Sequence, residues 1–116
     1  VGLAFGSDAP VTPVDPWGAV AAAVGHHEVA QRLSVRAAFA AHTRGGWRAL
    51  GPVADPGARA VREREGTLVP GAPATFAVWR VPGGLSGGLP RVGVGVPAPV
   101  CVRTVVRGVE VFAADG

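Results

Sequence analysis

The sequence predicts an α+β chain in which an apolar strand leads into two helices and antiparallel strands follow. Three observations carry this. The opening run Val1-Gly2-Leu3-Ala4-Phe5 is apolar without alternation, which suits a strand buried on both faces, as in a parallel sheet. Val35, Ala38, Phe39 and His42 then recur at helical spacing on one stripe. Beyond residue 66 the pattern changes to short apolar runs broken by glycine and proline, the signature of strands and tight turns.

The elements follow in order. The first strand stops at Gly6-Ser7-Asp8-Ala9-Pro10, a polar turn, and Val11 to Val14 is loop punctuated by proline. Asp15-Pro16 opens a helix. The aspartate can accept from the free amides of the first turn, and proline at the first helical position gives up a donor that has no partner there. This helix runs through alanine-rich sequence to about Gly25, and Ser34 caps a second, which Gly45-Gly46 stops or frays, with Trp47 to Leu50 as a candidate last turn before Gly51-Pro52. Residues 53 to 66 read as a polar loop, with Arg59, Arg62 and Arg64 beside Glu63 and Glu65. Thr67-Leu68-Val69 precedes a Pro70-Gly71 turn, and Ala74 to Val81 is a strand with Phe76, Val78 and Arg80 on one face. Pro82 to Pro99 is a glycine-rich connection, and Cys101 to Arg107 with Val109 to Phe112 forms a hairpin turning at Arg107-Gly108.

Composition narrows the function classes. The chain has 116 residues, 48% hydrophobic and 16% charged, which suits one small globular domain and excludes a disordered acidic arm. The net charge is +3 and every one of the 11 cations is arginine. The high pI therefore reflects missing lysine and tyrosine and does not require a basic patch. A single cysteine, Cys101, excludes an intrachain disulfide framework, and it reads as a buried structural thiol in a reducing, cytoplasmic setting. The longest apolar run, Trp17 to Val24, is far shorter than the roughly 20 residues of a membrane crossing. Methionine is absent even at position 1, so the expectation is a chain that is processed or cut from a longer polypeptide.

Few residues invite chemistry. Asp8 follows the first strand directly, so its carboxylate would emerge at the strand's C-terminal end, the face where barrel enzymes gather catalytic groups. The alternative is a turn-forming aspartate ahead of Pro10. His26 and His27 are adjacent, and helical neighbours point about 100° apart, which suits polar surface better than a shared metal. His42 lies on the apolar stripe and reads as a core histidine with satisfied nitrogens. A Ser34, His42 and Asp55 triad has nothing to fix its geometry. The glycine runs at 83–88 and 93–95 lack the lysine of a phosphate loop and no helix follows them. The arginines of 59–64 alternate with glutamates and have no aromatics among them, which argues against a nucleic-acid surface.

Four pieces, in order, resemble one known family. Gly6-Ser7-Asp8-Ala9-Pro10-Val11 followed by Asp15-Pro16-Trp17 is similar to the last barrel strand of the amidohydrolase superfamily, closest to its N-substituted formamide deformylase-like branch. Ser34 to Gly46 with Thr43 resembles that branch's helix, and Gly66-Thr67-Leu68-Val69-Pro70-Gly71-Ala72-Pro73-Ala74 its turn. Arg103-Thr104-Val105-Val106-Arg107-Gly108-Val109-Glu110-Val111-Phe112 resembles its closing hairpin. Thr75 stands where the family usually has aspartate after that turn, a departure expected to alter the sandwich and leave catalysis alone.

The resemblance implies an α/β parent: a (β/α)8 TIM barrel with a small composite β-sandwich. Residues 1–52 would be strand eight and the final helices, 53–65 a loop, and 66–113 the returning sandwich strands. It further implies a metal-dependent hydrolase of carbon–nitrogen bonds other than peptide bonds, acting on a small amide-like molecule with a divalent ion, Zn2+ by analogy. Asp8 matches the strand-eight aspartate that meets the metal-bound water and acts as general base. The remaining ligands would lie in an N-terminal remainder of the same polypeptide, and a homo-oligomer is compatible. By itself the chain is expected to be inactive. A second reading is a small non-catalytic α+β interaction module, which requires the Val1 to Phe5 strand to be covered by the chain's own helices.

Overall fold

The computed structural model describes residues 2–115 as four helices followed by small antiparallel sheets. Helix α1 spans Pro16–Val24, and the Asp15 carboxylate accepts from the Gly18 amide at 3.0 Å. Helix α2 spans Val35–His42 under a Ser34 cap, whose hydroxyl accepts from the Ala37 amide at 3.1 Å. Both helices start where their capping signals predict.

The apolar stripes of these helices face one another. Trp17 and Val20 of α1 are buried against Ala38 of α2, with Phe39 alongside. The Trp17 and Phe39 rings stack at 5.8 Å. Alanine-rich faces let the two helices approach closely, and the aromatic rings fill the space at the edges of that contact.

The opening segment departs from expectation. Residues 2–5 form no strand, Leu3 is 44% exposed, and Val1 lies outside the described residues. A lone apolar strand has no ladder to complete, so the backbone satisfies itself elsewhere. The Phe5 amide donates to the Ala41 carbonyl at 3.0 Å, one of the last-turn acceptors that a helix leaves unpaired.

Gly45-Gly46 does not stop the helical region. After a break at Thr43, helix α3 spans Arg44–Ala49 and runs through both glycines. Gly45 is buried, and a Cβ there would collide with the Leu3 carbonyl oxygen and lie 3.2 Å from Ala4 Cα. The residue lets segment 2–5 lie directly on α3.

The polar loop expected at 53–66 also contains a helix. Helix α4 spans Pro56–Arg62, and its Asp55 cap accepts from the Ala58 amide at 2.8 Å. Asp55-Pro56 repeats the Asp15-Pro16 signal.

Strand β1 (Phe76–Arg80) pairs antiparallel with β4 (Val100–Val106), which pairs with β5 (Val109–Ala113) in the order β1-β4-β5. The hairpin turns at Arg107 (φ 48°) and Gly108 (φ 79°), the two positive values that match the twist of flanking strands. Within the glycine-rich connection, β2 (Leu85–Ser86) and β3 (Leu89–Pro90) form a separate small hairpin. Trp79 joins sheet to helices, packing edge-on to Trp17 at 6.0 Å. Phe76 and Val78, expected to share a face with Arg80, stay more than a third exposed. The register shifts between Val78 and Trp79, leaving Val102 of β4 without a β1 partner. Cys101 is half-buried on β4, with its thiol 3.4 Å from the Thr104 hydroxyl.

Candidate functional site

The Gly6-Ser7-Asp8-Ala9-Pro10 turn is built by its own polar groups. The Ala9 amide donates to Ser7 Oγ at 3.1 Å, and the Thr12 hydroxyl donates to the Ser7 carbonyl. The Asp8 carbonyl accepts from the Val11 amide at 3.0 Å and the Thr12 amide at 3.4 Å. Asp8 has φ 56°, a left-handed conformation that aspartate and asparagine adopt more readily than most side chains. Its carboxylate accepts no hydrogen bond from any described residue, and Asp8 is exposed. The backbone is thus tied down by neighbours while the charged group is left for solvent or a ligand.

Beside this turn lies a cleft of about 450 Å³, walled by Ser7, Thr12, Asp15 and His42 among others. Asp8 is outside its lining. Thr12 is the residue that reading the sequence missed. Its signal was a hydroxyl closely following a Gly-Ser-Asp turn, the position from which it closes the loop.

His42 lies on the α2 stripe as expected, edge-on to Phe5 with ring centroids 5.2 Å apart. Its nitrogens are not both satisfied, however. Nε2 is buried with no hydrogen-bond partner among the described residues. Burial also pushes its pKa below the ordinary value, because a charged imidazole would lose water.

The other candidates separate. Ser34 and Asp55 both serve as helix caps, at α2 and α4, and no hydrogen bond joins either to His42. His26 and His27 follow α1 with their rings stacked at 4.3 Å, and His26 Nδ1 accepts from the Glu28 amide. Among the described residues, no three His, Cys, Asp or Glu side chains gather to hold a metal ion. Since a catalytic zinc takes about three protein ligands, these residues do not form such a centre by themselves.

The composition does not require a basic patch, yet the structure brings several arginines together. Arg44, Arg48, Arg59 and Arg62 line a common cleft between α3 and α4, together with Trp47, Glu63 and Glu65. No described helix is long and apolar enough to cross a membrane.

No match is found among curated proteins or among solved structures. The family model described as "Amidohydrolase family" matches residues 1–112. That match spans the Asp8 turn, all four helices and almost all of the closing hairpin, and the chain belongs to the amidohydrolase family.

Proposed function

We propose that this chain is the part of a metal-dependent amidohydrolase that supplies Asp8 to the hydrolysis of a non-peptide carbon–nitrogen bond in a small amide-like molecule. The observation that carries this reading is the presentation of Asp8: an exposed carboxylate on a turn whose backbone is fixed by Ser7 and Thr12. Membership of the amidohydrolase family supports it. The family also supports a (β/α)8 parent, in which residues 1–52 contribute the end of the barrel and 66–113 the closing strands. The turn and hairpin motifs resemble the N-substituted formamide deformylase-like branch, which makes N-substituted formamides the first small amides to assay, and the cytoplasm is the proposed setting.

A carboxylate in this position has two tasks. It accepts a proton from water as the water oxygen attacks the amide carbonyl carbon. It then delivers that proton to the nitrogen as the carbon–nitrogen bond breaks, leaving an amine and a carboxylic acid. A divalent ion, Zn2+ by family analogy, supplies Lewis acidity and lowers the pKa of water when bound. Asp8 can offer it one oxygen, with the remaining ligands coming from other residues of the natural polypeptide.

The interaction-module reading needed the first segment to be covered by the chain's own helices. The backbone of this segment lies on α3, but Gly2, Leu3 and Ala4 stay exposed, so the helices cover it only in part, which counts against that reading.

The test is Asp8→Asn in the natural polypeptide carrying this sequence, assayed on N-substituted formamides and other small amides. Asparagine tolerates the left-handed backbone, so the fold and melting temperature should hold. Turnover should fall by about 10²- to 10⁴-fold, the usual contribution of a positioned base. Turnover within tenfold of the parent would remove Asp8 from the chemistry.

A further inference from the structure

We propose that the cleft between α3 and α4 binds the phosphate or pyrophosphate group of a small molecule, at a site separate from Asp8. The cleft measures about 370 Å³ and is lined by Arg44, Arg48, Arg59 and Arg62. Two of these guanidinium groups are held by backbone carbonyls. Arg59 donates to Val53 and Ala54 at 3.2 and 3.3 Å, and Arg44 donates to the Glu63 carbonyl at 3.4 Å. Arg62 is fixed differently, over the Trp47 ring at 5.6 Å from its centroid. Each guanidinium carries five donors, so most of this donor capacity is uncommitted.

The carboxylates do not neutralise the group. Among the described residues none of the four arginines has a carboxylate within 4.0 Å, and the two ion pairs that form use Arg103 and Arg107. Glu65 is 6% exposed and sits 3.7 Å from Arg107, which leaves Glu63 as the other acid on the cleft. Helix dipoles account for some of the arginines singly: Arg48 lies in the last turn of α3, and Arg59 and Arg62 in that of α4. They do not require the two sets to converge on one cavity. Four arginines lining one cleft with no described carboxylate within 4.0 Å repel one another, and an anion entering the cleft would relieve that repulsion. Planar forks approaching from two helices suit an oxyanion with several acceptor oxygens better than a single carboxylate.

The test is calorimetric titration of the natural polypeptide with inorganic pyrophosphate, against sodium chloride at matched ionic strength. Saturable binding is expected with pyrophosphate alone. Arg48→Gln should weaken it by about tenfold, and Arg48→Gln combined with Arg62→Gln should abolish it. The Arg48 guanidinium makes no hydrogen bond within the described structure, and the carbonyl that accepts from the Gly51 amide is backbone, so the single variant should keep the parent melting temperature. Absence of saturable binding would overturn the proposal, as would binding that both variants leave intact. A large fall in melting temperature for Arg48→Gln, with no pyrophosphate binding by the parent, would also overturn it. Loss of turnover in Asp8→Asn bears on neither outcome, so the two proposals fail separately.

Discussion

Gly45 and Gly46 are neighbours in one short helix, and replacing each by alanine should give opposite results. Alanine is favoured over glycine in a helix interior by roughly 0.5–1 kcal/mol. At Gly46 a Cβ meets nothing within 4 Å, so Gly46→Ala should gain most of that amount. At Gly45 the same methyl group collides with the Leu3 carbonyl oxygen and lies 3.2 Å from Ala4 Cα. Both obstacles are backbone, so no side-chain rotation relieves them. Overpacking of this kind costs about 1–3 kcal/mol, and against the helix gain the net is a loss on the order of 1 kcal/mol. The chain can escape part of the cost by lifting residues 2–5 away, which sacrifices the bond from the Phe5 amide to Ala41. Since that segment leads into the Asp8 turn, a displacement of about 1 Å there can lower turnover about a hundredfold. Chemical denaturation of both variants, with hydrogen exchange at the Phe5 amide, separates the cases. Gly45→Ala should be the less stable by about 2 kcal/mol, with Phe5 protection lost. Equal stabilisation by the two substitutions, with Phe5 still protected, would refute the packing of segment 2–5 on α3.

Two further substitutions probe the join and the buried imidazole. Trp79→Ala removes the ring that links β1 to Trp17 and should cost about 3 kcal/mol; a loss confined to a few tenths, measured by urea denaturation, would show that sheet and helices are not coupled there. His42 has a pKa lowered by burial, so below its ordinary value of about 6.5 the unfolded chain binds the proton more readily. Stability should be constant above that pH and fall as acid is added through the folded-state value, and His42→Phe should flatten that part of the profile in melts between pH 7.5 and 5.

How much of this was legible in the sequence depended on whether the deciding interaction was local. Asp15-Pro16 and Ser34 announce their helices because a cap is a contact between residues three apart. Arg107-Gly108 announces its hairpin for a similar reason, since the turn needs two positive φ values and little else. The α4 helix was legible by the same rule, yet the alternating charges that follow Asp55-Pro56 obscured it. The first segment was different. Its apolar composition was readable, but whether it becomes a strand depends on a neighbouring strand, and within the described residues its amide instead meets the end of α2. Gly45 could be read only as a helix breaker, because the fact that decides its role is the backbone of Leu3 lying against it. The same limit explains the two candidate sites. Asp8 stands out because a turn of adjacent residues presents it. The arginine cleft does not, because Arg44 and Arg48 meet Arg59 and Arg62 only after α3 and α4 fold back on each other. Composition showed 11 arginines and no lysine, but a count of charges carries no direction. Packing supplies the direction, turning an unremarkable net charge into a concentrated local one.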